Sequence, residues 1–425
     1  MTHFRRAIVI GGGIGGLAAA GALSSVTDHV TVVERDPLGS TTRPGVPQSR
    51  QLHNLLGRAQ IELERCLPGF LRLLEDSGAG FASVADETHV HELGQWMPER
   101  PLGFRIVCAP RYRIEQVARA ALSQRPNVSV VDGAEALALA TDRTGAVVGV
   151  QVGTATGPAT WPADLVVDAT GATGPGSAWI EALAEEPVPM TETPQGRWFV
   201  STVLRRPESC MGVPDFWMNF PSGAQTKSAL LAPLSADRWL LSVSGLSGDR
   251  VPTTFPQVLE HVASTRDGRM LGRVGGAVPD SLPDPFYVRT HRRHLYERMS
   301  KFPKGVLPVG DTIANIDPLF GLGMSVAAWQ CTALRDAIKE WDGANWNVLS
   351  HRYLQEAAKR CAAAQDIDDA VRRAVQHSTG GVESGVANLM QMIEVSESLH
   401  RIYVSTWHLL SSVDSLSEAI TLHRN

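Results

Sequence analysis

At 425 residues the chain is too long for one ordinary domain and suits two or three. Its 43% hydrophobic and 20% charged content excludes a disordered chain and points to globular folding. The formal net charge is −5, without a block of like charges, which argues against a nucleic-acid partner.

Cys66, Cys108, Cys210, Cys331 and Cys361 are scattered, with no CxxC pair. That usage points to a reducing compartment and away from a disulfide framework. The opening MTHFRRAIVIGGG has too short an apolar run for a signal peptide. No stretch approaches the roughly 18 to 20 apolar residues of a spanning helix. A cytoplasmic protein without a transmembrane segment is expected.

The first element is the β-branched run Ala7-Ile8-Val9-Ile10, the pattern of a buried parallel strand. Gly11-Gly12-Gly13-Ile14-Gly15-Gly16 follows, then the helix-forming Leu17–Leu23, then a second strand, Val30–Val33, ending in Glu34 and Arg35. In such a unit Gly11 permits the tight turn, Gly13 lets backbone approach a pyrophosphate, and Gly16 seats the helix close to the strand. The helix N-terminus, from Ile14 and Gly15, would face the phosphates with free N–H groups. Glu34 lies about 20 residues on, where a carboxylate accepts from a ribose.

Residues 183–285 read as an inserted antiparallel sheet, with strands expected at 197–204, 215–220, 228–232 and 238–243. The turn signals 221–223 and 235–237 separate them. Its Trp and Phe content suits an apolar ligand pocket, or simply a core.

Gly305–Asp311 is another acid-tipped strand, followed by the loop Asn315–Met324 and a helix through Gln330. A nicotinamide dehydrogenase has no use for this second cradle, whereas FAD does. Asp311 is placed to accept from ribityl hydroxyls, and Gly321 and Gly323 can bring N–H groups to the ring, with Pro318 and Met324 alongside. Beyond it, Leu389, Met390, Ile393, Leu399, Ile402, Tyr403, Trp407 and Leu410 recur at helical spacing. This C-terminal region reads as a helical cap packed on the body, with a substrate lid or a partner-binding face as the alternatives.

The segment GVLPVGDTIANIDPLFGLGMSVAAWQ resembles the GD motif of the FAD-dependent, group A flavoprotein monooxygenases. The likeness is greatest to bacterial olefin epoxidases of polyketide and polyether pathways and to squalene epoxidase-like proteins. Pro47-Gln48-Ser49-Arg50-Gln51-Leu52-His53 resembles their Pro-Gln-x-Arg-His-x-His segment, with Gln51 in place of the first His. Arg111–Arg119 resembles their Arg-x-x-Leu-Glu-x-x-Leu-Arg helix, which implies an FAD contact for Arg111. Asp164–Gly171 resembles the strand returning under the nucleotide half of FAD. An Arg usually follows that glycine closely, but here Ala172–Ser177 carries none.

The resemblance covers roughly residues 5–345. It implies an α/β fold: a Rossmann-like FAD-binding domain of the p-hydroxybenzoate hydroxylase type, an inserted antiparallel-sheet substrate domain and C-terminal helices. The expected division is 1–182 and 286–345 for FAD, 183–285 for substrate and 346–425 for the helices, with 76–101 assignable to the substrate domain. The implied reaction inserts one oxygen from O2, by way of a flavin C4a-hydroperoxide, into a small apolar substrate of polyketide- or terpenoid-like type. Olefin epoxidation leads. Aromatic hydroxylation, Baeyer–Villiger oxidation, prenyl-chain reduction and a non-redox cyclisation scaffolded by FAD stay open. NAD(P)H would bind transiently, or a partner reductase would supply reduced flavin. Arg50 and His53 are candidates beside the ring. His89 with His91, and His291 with His294, lack the companions of a metal site, so none is expected.

Overall fold

The computed structural model describes residues 4–39, 41–154, 157–211, 216–221, 226–265, 268–377 and 383–424. Asp215, Ser222 and Gly223, named above in a strand and a turn, lie outside them.

The strand Phe4–Ile10 is flanked in parallel by Thr27–Val33 on one side and Leu165–Asp168 on the other. Val128–Val131 and Val306–Pro308 complete a five-stranded parallel sheet. Its central residues are buried on both faces, so they run apolar continuously rather than alternating. The registers Ile10 with Val33 and Ile10 with Asp168 bring the C-terminal ends of three strands to one line. Ligands of open α/β sheets bind along such an edge. The helix Ile14–Leu23 packs against the sheet through small residues, with Leu17, Ala18, Ala19 and Ala20 fully buried. A three-stranded meander, Glu135–Thr141, Val147–Thr154 and Gly157–Pro162, lies beside it.

The inserted sheet runs Val278–Pro279, Met190–Arg205, Arg238–Leu246, Ser228–Ser235, Phe216–Asn219, Thr88–Glu92, Gln95–Trp96. Asp284–His294 also pairs with Met190–Arg205. The pairing bears on two segments at the expected boundaries. Thr88–Glu92 and Gln95–Trp96 join the inserted sheet, whereas Gly80–Ser83 pairs with Arg105–Pro110. Asp284–His294, which spans the expected boundary at 286, pairs with Met190–Arg205 of the inserted sheet. Its charged end, Arg289 to His294, hides a strand whose backbone groups are satisfied by pairing from Ser201 back to Met190.

Trp198 and Trp239 do not face a ligand. Both are buried under the sheet with Val200, Val258 and Val262, where the helix Phe255–Ala263 covers it. Four helices, Trp346–His377, Glu383–Val395, Glu397–Trp407 and Val413–Arg424, form the C-terminal region among the described residues.

Candidate active site

One cavity of about 700 Å³ runs from the glycine turn to the inserted sheet. That lies within the range of roughly 300–1,000 Å³ typical of ligand pockets.

At the nucleotide end, Gly11 has φ +107°, and a Cβ there would stand 2.4 Å from the Ala169 carbonyl oxygen. Gly16 is closed more tightly, since a Cβ would lie 1.8 Å from the Gly11 oxygen. Gly13 differs: the nearest atom to an added Cβ is Glu115 Oε1 at 3.8 Å. Its α-carbon faces open cavity. The helix Ile14–Leu23 starts there with no side-chain cap and no acid in its first turn. Its first N–H groups and positive dipole end suit an anion such as a pyrophosphate.

Glu34 ends its strand against this turn. Its Oε2 accepts from Gly12 N at 2.6 Å and its Oε1 from Asp36 N at 2.8 Å. Arg43 Nη1 lies 3.1 Å from Glu34 Oε2, and Arg43 Nη2 donates to Glu115 Oε2 at 2.5 Å. Arg111 Nε donates to the other Glu115 oxygen at 2.9 Å. Burial alone would push the Glu115 carboxyl up, but the Arg111 and Arg43 guanidiniums outweigh it and hold it below the usual range. The sequence reading missed Arg43. Glu115 stood within the Arg-x-x-Leu-Glu likeness without a role of its own. Arg35 lines the cavity with an exposed side chain near Asp36.

At the second cradle, Asp311 opens onto the cavity and is otherwise enclosed by protein. That enclosure raises its carboxyl above the ordinary range, with Arg111 opposing. Gly310 N is held by the buried Gln330 Oε1 at 2.7 Å. The turn Pro318–Phe320 is capped by Asp317, whose Oδ1 accepts from Leu319 N at 2.9 Å. Gly321 then turns through φ +68°, and the helix Gly323–Lys339 starts, again uncapped. An added Cβ at Gly323 meets nothing within 4 Å. Pro318, Gly321, Gly323 and Met324 all line the cavity. These open cradles, two uncapped helix starts and two acid-tipped strands fit FAD.

His53 also lines the cavity. Its Nδ1 lies 3.0 Å from the Gln51 carbonyl oxygen, so Nδ1 carries the proton and Nε2 a lone pair. Burial, assisted by Arg111, pulls it down to about 4, and the ring is neutral near pH 7. Arg50 does not join it. Its guanidinium is exposed and pairs with Asp284, Nε to Oδ2 at 3.1 Å. The reason lies at Gln51, the substituted position. The Gln51 amide donates to Asp284 O at 2.9 Å and accepts from Ser201 Oγ at 2.6 Å, tying the segment to the inserted sheet. Arg50 is left outside that joint.

The end against the inserted sheet is walled by Phe199, Phe220, Phe286, Leu230 and Leu52, with Ser228 and Ser242 between them. Residues Gly171–Pro175 line the nucleotide side without a cation. His291 and His294 turn their Nδ1 atoms to Asn315 O and Thr312 O, and thus brace the Asp311–Asp317 segment. Among the described residues no group of three or more His, Cys, Asp or Glu stands together as a metal site. Nor is any helix among them long and apolar enough to cross a membrane.

Comparison with known proteins agrees with this geometry. The sequence profile of the FAD dependent oxidoreductase family matches residues 7–174. Protein Rv3254 of Mycobacterium tuberculosis is 26% identical over 378 residues, covering 83% of this chain and 77% of that protein. PqsL of Pseudomonas aeruginosa, described as a probable FAD-dependent monooxygenase, superposes with a TM-score of 0.63 at 18% identity. That match covers 92% of this chain and 97% of PqsL. The flavin-dependent brominase Bmp2 superposes with a TM-score of 0.71 at 13% identity, over 98% of each chain. Residues 7–174 thus match the FAD-dependent oxidoreductases, and the chain as a whole has the FAD-binding fold of the p-hydroxybenzoate hydroxylase-type monooxygenases.

Proposed function

We propose that this protein is an FAD-dependent monooxygenase that transfers one oxygen atom from O2 to the carbon–carbon double bond of an apolar, polyketide- or terpenoid-like substrate. The observation that carries the reading is the continuity of the cavity. The glycine turn and Glu34, the Asp311–Gly323 cradle, and the phenylalanine-lined face of the inserted sheet all border one space.

The chemistry that bound FAD supplies is two-electron activation of O2. The chain's own residues bind and orient. Glu34 would accept from the ribose, and the start of Ile14–Leu23 would hold the pyrophosphate. Asp311 would accept from the ribityl chain, and the dipole at the start of Gly323–Lys339 would favour negative charge on the ring. Phe199, Phe220 and Phe286 hold an apolar skeleton and exclude water. His53, neutral at working pH, offers Nε2 as a hydrogen-bond acceptor rather than a cation. Electrons come from transiently bound NAD(P)H or from a separate reductase.

Two measurements test the reading. Heat should release FAD from the purified protein, and release of FMN contradicts it. Single turnover of the reduced enzyme with candidate olefins under isotopically labelled O2 should place one labelled oxygen in an epoxide. Label in a phenol or an ester moves the reaction to a sister class, and a product without label removes oxygen transfer altogether.

A further inference from the structure

The C-terminal helix Glu397–Trp407 reaches the cavity wall from behind. The Trp407 ring centroid lies 4.9 Å from that of Phe220, which borders the end of the cavity against the inserted sheet. It lies 6.0 Å from that of Phe320, which is buried in the cradle turn Pro318–Phe320. Phe220 and Phe320 are themselves stacked, with centroids 6.5 Å apart. Trp407 therefore fills the corner where the inserted sheet meets the flavin cradle.

The helix that carries it is pinned on several sides. Leu399, His400, Val404 and Thr406 are buried. The Arg401 guanidinium donates to the Leu102 carbonyl. Just past the helix, Gly57 N donates to His408 Nδ1 at 2.9 Å, and Arg58 Nε donates to Leu409 O at 3.0 Å. Burial brings His408 down to about 4, which keeps Nδ1 free to accept. A helix held this way cannot slide inward when a side chain is cut back, so the removed volume stays as space.

We propose that Trp407 buttresses Phe220 against the cavity and thereby sets the length of substrate that the cavity accepts. This rests on reading the Phe220 end as the substrate end. Trp407 acts through Phe220 and is a positioning residue. Without its ring, Phe220 turns back into the vacated corner and the cavity deepens.

The test uses the FAD-loaded holoenzyme and a series of straight-chain terminal alkenes from hexene to hexadecene. Dissociation constants are read from perturbation of the flavin absorbance. Affinity should rise about fourfold per added methylene while each is buried, then stop rising at a break. In Trp407→Ala the break should move to a longer alkene, and Trp407→Phe should restore it close to the wild-type position. Trp407→Leu serves the same purpose where the alanine variant does not fold. A break unmoved in these variants, or affinity lowered by one factor at every length, overturns the proposal. So does wild-type holoenzyme that binds no alkene of the series. The reading as a monooxygenase fails separately, by products that carry no labelled oxygen.

Discussion

Arg43 and Glu115, 72 residues apart, form a buried ion pair beside the glycine turn, and Arg111 holds the second oxygen of the same carboxylate. Removing that carboxylate takes from Arg111 and Arg43 the buried partner they share and leaves Arg43 to Glu34 alone. Breaking a buried pair by deleting one partner costs about 3–5 kcal/mol. Glu115→Ala should therefore lower the stability of the FAD-loaded protein by an amount of that order and weaken FAD retention. Denaturant unfolding with matched FAD checks it. A loss below about 1 kcal/mol, the size of an exposed pair, would show that the pair is not buried in solution.

The glycines of the turn should separate by function. Gly16→Ala places a Cβ 1.8 Å from the Gly11 carbonyl oxygen, with no flexible group to yield. Gly13→Ala meets only Glu115 Oε1 at 3.8 Å, but fills the face left open to a pyrophosphate. The expectation is that Gly16→Ala fails to fold, whereas Gly13→Ala folds with a Tm near that of the wild-type apoprotein and loses FAD. Circular dichroism and flavin content distinguish them. A Gly13→Ala protein with full FAD occupancy would remove the pyrophosphate assignment.

Asp311→Ala tests the second cradle. Loss of a charge-assisted bond costs about 1.5–3 kcal/mol, or roughly 10- to 150-fold in affinity. Titration of the apoprotein should show weaker FAD binding with the fold intact. An unchanged dissociation constant would mean that Asp311 does not touch the cofactor.

Glu92 supplies a pH test of the C-terminal region. It ends the strand Thr88–Glu92, is fully enclosed and faces Tyr403 of the helix that bears Trp407. Burial pushes its carboxyl from 4.5 up to about 8, with the Tyr403 hydroxyl opposing. The folded-state value lies above the unfolded one. Its contribution to stability is therefore fully present below about pH 4.5 and is lost as pH rises through about 8. Glu92→Gln mimics the protonated form, so its Tm should fall less than that of wild type between pH 6.5 and 9. Parallel Tm–pH curves for the two proteins would place Glu92 in solvent.

The backbone of the glycine turn was legible in the sequence because its signals are local. A strand, a glycine turn, a helix and an acid-tipped strand occupy one continuous segment, and Gly11, Gly13, Gly16 and Glu34 take their positions from backbone geometry within it. The Asp311–Gly323 segment is local in the same way. Tertiary structure decided what depends on distant pairing. Gln51 docks on Ser201 and Asp284, and this leaves Arg50 outside while His53 lines the cavity. Strand parity sends Trp198 into the core and leaves its neighbour Phe199 on the cavity, a choice that one residue of register would reverse. Arg43 with Glu115, and Trp407 with Phe220, join segments whose sequences hold no trace of each other, because burial and ion pairing act on proximity in space and not along the chain.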